Sequence, residues 1–167
     1  MIKPIALIGF YGSGKTNMGR RVAGDLHMPF YDLNDEIVKL SGMRAAQLYT
    51  QMGEPVFRRF ESLALSSLAA YGGVVATTGG CVMMPYNNRL LANSFLTIYL
   101  DAPFEYVSAH LDAARHPSIS GLSQTELYKL YELRRTQYEQ AADHTLDASQ
   151  PADAVVSQII EAALAGV

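Results

Sequence analysis

Residues 9–16 read GFYGSGKT and follow directly on the apolar run IALI. No other stretch constrains the chain as tightly. Gly9, Gly14, Lys15 and Thr16 satisfy the spacing G-x-x-x-x-G-K-[ST] in full. The glycines let the backbone curl and aim its N–H groups at a phosphate. A helix that opens at Gly14 adds the positive end of its dipole. The Lys15 ammonium can reach β- and γ-phosphate oxygens, and the Thr16 hydroxyl is a ligand for Mg²⁺. A chance glycine-rich turn would not need a strand before it and a helix after it; this sequence predicts both.

Apolar runs and helical patterns alternate along the rest of the chain. Strands are expected at PIALIG, PFYDL, GVVATT and FLTIYL, with a short last one at HTLDA. Helices are expected over 14–26, 34–40, 44–51, 54–71, 103–112, 123–141 and 151–164. Pro55 fits the first turn of the 54–71 helix. Phe57, Phe60, Ala64 and Leu68 share one face of it and read as core, which turns Arg58 elsewhere. Alternation of β and α elements implies a parallel sheet with helices on both faces, and ligands then gather at the C-terminal strand ends.

The 167 residues fit one domain, 1–167, and 49% of them are apolar, enough for a real core. That size leaves no room for both a switch apparatus and a second domain, and no N-K-x-D guanine signature is present; a small kinase fits better than a motor or GTPase. The net charge of −3, without a basic run, speaks against nucleic acid as partner. No apolar stretch approaches the roughly 20 residues of a membrane span, and the N-terminus reads as a strand rather than a signal peptide. The one cysteine, Cys81, cannot staple the fold and reads as a small buried residue. A cytoplasmic monomer acting on a small molecule is expected.

Three further clusters carry chemistry. In YDLNDE, Asp32 falls at a strand end on the same sheet edge as the phosphate loop. There its carboxylate can serve Mg²⁺ or an acceptor hydroxyl. Asn34 and Asp35 open the next helix, where capping competes with a binding role. In FRRFE, Glu61 lies one turn beyond Arg58 and can hold it as a fork for a carboxylate ligand; the competing reading is a weak surface ion pair. In VVATTGGCV, Thr78, Gly79 and Gly80 end a strand with backbone that a ligand can approach closely.

Together these form an ordered series: phosphate loop, D-x-[DN], G-E-x-x-F-R-x-x-E, a strand ending in T-G-G, a proline-containing segment, then R-x-x-x-Y. In this order, over residues 5–140, the chain resembles the shikimate kinases. GEPVFRRFE, Gly53 to Glu61, is the most specific part. The resemblance implies a three-layer α/β P-loop fold with a five-stranded parallel sheet flanked by helices, plus a mobile lid over about 113–123. It implies ATP-dependent phosphorylation of shikimate to shikimate 3-phosphate, a step of aromatic amino-acid biosynthesis, with Mg²⁺. Gly12, Ser13, Gly14, Lys15, Thr16, Asn17 and Pro151 would bind the nucleotide, and Thr16 and Asp32 the metal. Asp32, Asn34, Arg58, Gly79, Gly80 and Arg134 would bind shikimate, with Arg135 as the register alternative to Arg134. Lys15, Asp32, Arg115 and His116 would act on the transferred group.

Three positions depart from the family's pattern. Asn34 stands where a second aspartate is usual: it keeps a hydrogen-bond acceptor and loses the charge. Asp35 is its neighbouring alternative. His116-Pro117 replaces Arg-Pro, exchanging a permanent cation for an imidazole mostly neutral near pH 7; Arg115 stands beside it as the available cation. Thr78 replaces the first of three glycines. Two other readings follow: a related kinase for another hydroxy-acid or polyol such as gluconate, and a catalytically weak nucleotide-binding relative.

Overall fold

A computed structural model describes all 167 residues. Five parallel strands form one sheet: β1 (Ile5–Ile8), β2 (Phe30–Asp32), β3 (Val74–Ala76), β4 (Leu96–Asp101) and β5 (His144–Asp147), in the order β2-β3-β1-β4-β5. β1 is central and has no exposed residue, as its unbroken apolar run requires of a strand covered on both faces. It pairs with β3 through Ile5–Val74 and with β4 through Ile5–Leu96. The strand order reverses at β1, so the loop after β1 opens into the crevice where such sheets take ligands.

The helices are α1 (Lys15–Asp25), α2 (Leu33–Ser41), α3 (Ala45–Met52), α4 (Glu54–Tyr71), α5 (Pro85–Ser94), α6 (Phe104–His110), α7 (Gln124–Ala141) and α8 (Ala152–Ala165). The expected elements all form, with ends shifted by one to a few residues. α5 is the element that the pattern of the sequence did not yield. Its segment PYNNRLLANS has weak apolar periodicity, and it is held by a buried polar residue: Asn87, fully buried, donates to the Cys81 carbonyl at 2.9 Å. Pro85 at its first position is the local start signal.

α4 corrects one expectation. Its buried face is Phe57, Arg58, Glu61, Ala64, Leu65 and Leu68, while Phe60 is only half-buried. Arg58 therefore points inward with the core residues rather than away from them. Apolar spacing alone favoured Phe60, because it gives no weight to a charged pair that satisfies itself inside.

The segment after α6 contains a short 3-10 turn, Ala113–Arg115, and is pinned by Ile119, 1% exposed. At its far end a capping box opens α7. The Ser123 hydroxyl accepts from the Glu126 N–H at 3.2 Å, and the Glu126 carboxylate accepts from the Ser123 N–H at 3.4 Å.

Candidate active site

A cleft of about 790 Å³ lies at the C-terminal edge of the sheet, walled by the phosphate loop, the start of α2, α3, α4, the glycine turn after β3 and the 113–118 segment. Gly12 and Gly14 sit at φ 84° and 92°, the left-handed conformations that let this loop curl at the cleft. The Lys15 ammonium donates to the carbonyls of Gly9 at 2.7 Å and Phe10 at 3.0 Å, folded back along its own loop. Its desolvation lowers its pKa to about 8, with the Asp32 charge pulling the other way. The Ser13 hydroxyl, in the same loop, is buried and has no protein partner. Such an orphaned donor in a loop of this shape fits an anionic ligand.

Asp32 has two jobs at once. One carboxylate oxygen accepts from the Thr16 hydroxyl at 3.0 Å, and the other caps α2 by accepting from the Asn34 N–H at 2.9 Å. The cap is thus Asp32 itself, not Asn34 or Asp35, because the helix begins at Leu33. That frees the Asn34 and Asp35 side chains, which line the cleft. The paired oxygens of Thr16 and Asp32 are a donor set suited to a hard cation that keeps several other oxygen ligands.

On the opposite wall, the Arg58 guanidinium donates to Glu61 at 2.8 Å and its Nε lies 3.5 Å from the Glu54 carboxylate. Glu61 is fully buried. Thr78 donates its hydroxyl to the same Glu61 oxygen as Arg58, and Asn87 approaches the other at 3.4 Å. Burial pushes the Glu61 carboxyl up, and Arg58, Thr78 and Arg134 pull it down. The weak surface ion pair is excluded: this is a buried, multiply held carboxylate that fixes an arginine at the cleft wall. Thr78 faces Glu61 and so completes this network.

Gly79 and Gly80 earn their lack of side chains by proximity. A Cβ on Gly79 would lie 2.6 Å from the Tyr11 ring, and one on Gly80 would enter the Arg58 guanidinium. Arg134 and Tyr138, one turn apart on α7, both donate to the Gly79 carbonyl, at 3.0 and 2.6 Å. Arg134 is 5% exposed and also contacts the Met83 sulfur at 2.8 Å. It stands behind the glycine turn rather than in the cleft wall. Arg135 points to the other side of α7, where it is 3.7 Å from Asp101. Pro151 is the residue preceding α8 and lies outside the cleft wall, whereas Ala148 and Asn17 belong to it. Cys81 is buried, and burial raises its thiol pKa well above the usual range.

Arg115, His116, Pro117 and Ser118 close the cleft from above. Burial, then the charges of Lys15 and Arg115, lower the His116 pKa to about 4, so its imidazole is neutral near pH 7. Several wall residues had no motif to announce them. Tyr49 packs edge-on at 5.7 Å against Phe57 of the G-E-x-x-F-R motif, and its hydroxyl donates to Glu54 at 3.1 Å. Tyr106 and His110 stack at 4.1 Å beside the phosphate loop. Tyr11 sits in a free position of the loop motif; an aromatic ring inside a glycine loop is the one signal that could have flagged it.

The fold and this site define a P-loop phosphotransferase that acts on a hydroxyl group. The shikimate kinase family matches residues 11–164, and the chain belongs to that family. The relatives agree. Shikimate kinase 2 of Dickeya chrysanthemi is 33% identical over 166 residues, 96% of each chain. The shikimate kinase of Pseudoalteromonas atlantica is 37% identical over 162 residues, 94% of each. Among solved structures, the Acinetobacter baumannii shikimate kinase in complex with shikimate superposes with a TM-score of 0.88 at 26% identity, over 99% of this chain and 95% of the other.

Proposed function

We propose that this chain transfers the γ-phosphoryl group of ATP to the 3-hydroxyl of shikimate, releasing ADP and shikimate 3-phosphate. The observation that carries this reading is Arg58, held rigid by buried Glu61 and facing the same cleft as the phosphate loop. A fixed guanidinium fork suits the carboxylate of a small hydroxy-acid.

The phosphate loop, from Gly12 to Asn17, cradles the donor phosphates through its N–H groups and the Ser13 hydroxyl. Lys15 leaves the carbonyls of Gly9 and Phe10 and turns to the β- and γ-oxygens. Thr16 and Asp32 hold Mg²⁺, which offsets charge on the phosphates when bound. Asp32 and Asn34 orient the acceptor hydroxyls. Phosphoryl transfer passes through a loose transition state, so positioning by Asn34 outweighs the base strength of the missing aspartate. Gly79 and Gly80 let the acceptor ring approach the backbone. Arg134 stays behind the glycine turn and, by donating to the Gly79 carbonyl, fixes the backbone that the acceptor meets. Arg115 supplies the cation that neutral His116 does not, and the 113–123 segment acts as a lid. No helix is long and apolar enough to cross a membrane.

The test is ADP release by the purified chain with ATP and Mg²⁺, with and without shikimate. Strong shikimate-dependent release is the expected result. No release, with ADP still raising the melting temperature, would leave a nucleotide site with a different acceptor, to be sought among other hydroxy-acids.

A further inference from the structure

Tyr11 occupies a position of the phosphate loop that the motif leaves free, yet it is 5% exposed and touches three separate parts of the site. Its ring packs tilted against His116 at 4.8 Å and edge-on against Phe10 at 5.2 Å. The same ring lies directly on Gly79, where a Cβ would come within 2.6 Å of it. Its hydroxyl shares a 2.7 Å hydrogen bond with the Ser118 hydroxyl, 107 residues away. One side chain thus joins the donor loop, the acceptor-side glycine turn and the segment above the cleft.

Packing alone does not need that hydroxyl. A phenylalanine would fill the same space between Phe10, His116 and Gly79. The hydroxyl adds a directed link to a loop that otherwise has one buried apolar anchor, Ile119. Ser118 is two residues from His116 and three from Arg115, so fixing Ser118 fixes the approach of both to the phosphate loop. The placement matters because charge-clamping groups act only when held at the transferring phosphate.

We propose that Tyr11 is a positioning residue for phosphoryl transfer: through Ser118 and His116 it holds the 113–118 segment, with Arg115, over the phosphate loop, and through Gly79 it ties that placement to the acceptor pocket. This rests on the kinase reading above. Tyr11 touches neither reacting group; it acts by setting where Arg115 stands.

The experiment compares Tyr11→Phe, Ser118→Ala and the double variant in the full chain. It reads amide hydrogen exchange over residues 113–123, kcat, KM for ATP and for shikimate, and melting temperature. Each single variant is expected to speed exchange in 113–123 and to lower kcat roughly two- to tenfold, the range set by one hydrogen bond. The KM for ATP should stay within about twofold, and the melting temperature within about 5 °C. The double variant should lose no more than the worse single one, since both remove the same bond. Wild-type exchange and kcat in Tyr11→Phe would overturn the proposal. So would additive losses, or a lowered melting temperature with kcat intact, which would make Tyr11 a packing residue only. If the unmodified chain does not turn over shikimate, the acceptor reading fails, and the exchange measurement still decides the Tyr11–Ser118 link by itself.

Discussion

Arg58 and Glu61 form a 2.8 Å ion pair one turn apart on α4, and both side chains are buried, Glu61 completely. A pair placed there is not a stabilising ornament. Desolvating two charges costs about as much as their attraction returns, while removal of one partner strands the other. Its value lies in fixing the guanidinium toward the cleft.

Arg58→Ala should therefore raise the KM for shikimate by at least tenfold while leaving ADP affinity unchanged, as read by steady-state kinetics and calorimetric titration. An unchanged shikimate KM would make the pair structural only. Loss of stability is expected as well, because Glu61 is left with Thr78 and Asn87 alone.

Thr78→Val keeps the volume and removes the hydroxyl that Glu61 accepts from. Leaving that buried carboxylate short of a donor should cost about 1–3 kcal/mol of stability, measured by denaturant unfolding. The loosened Arg58 should also raise the shikimate KM. A stability change near zero would show that Arg58 and Asn87 satisfy Glu61 without help.

Lys15 predicts a pH dependence of nucleotide binding. Desolvation first, against Asp32, sets its pKa near 8 instead of 10.5. Phosphates bind the charged form and raise that pKa, so the free protein must take up a proton as pH rises above 8. ADP affinity should then fall between pH 8 and 9.5, by as much as tenfold per pH unit. A flat dissociation constant across this interval would place Lys15 at its ordinary pKa. Lys15→Ala should remove nearly all turnover.

The segment above the cleft offers Arg115 and a His116 held neutral, its pKa lowered to about 4 by burial and by the neighbouring Lys15 and Arg115. Arg115→Ala should lower kcat strongly with little change in ATP KM, toward the loss of about 10³ or more seen when a charge-clamping arginine is removed. His116→Asn should cost much less, because it removes no charge at pH 7. Equal effects of the two would assign the role to loop packing instead.

What could be read before folding followed from local rules. The phosphate loop announced β1, its turn and α1 together, because backbone curvature, charge and helix start are written in eight consecutive residues. The remaining strands showed as short apolar runs ended by glycine or aspartate. Three features escaped for physical reasons. Arg58 lies on the buried face because its partner Glu61, one turn on, is itself held there by Thr78 and Asn87 from later in the chain; no periodicity encodes that. α5 escaped because a buried asparagine, rather than an apolar stripe, ties it down. Tyr11 escaped because its partners, Gly79, His116 and Ser118, are distant in the chain. Arg134 and Arg135 were alternatives from spacing, and on α7 they part: Arg134 shares a face with Tyr138 toward Gly79, while Arg135 faces Asp101.

The two glycines pressed against larger side chains also set how this site can change over generations. The Tyr11 ring fills the space a side chain on Gly79 would need, and the Arg58 guanidinium that of one on Gly80. A lone substitution at either glycine meets a wall, and a lone shrinkage of Tyr11 or Arg58 opens a hole. The pocket can drift toward a new acceptor only by paired steps, 11 with 79 and 58 with 80, and each first step passes through a damaged intermediate.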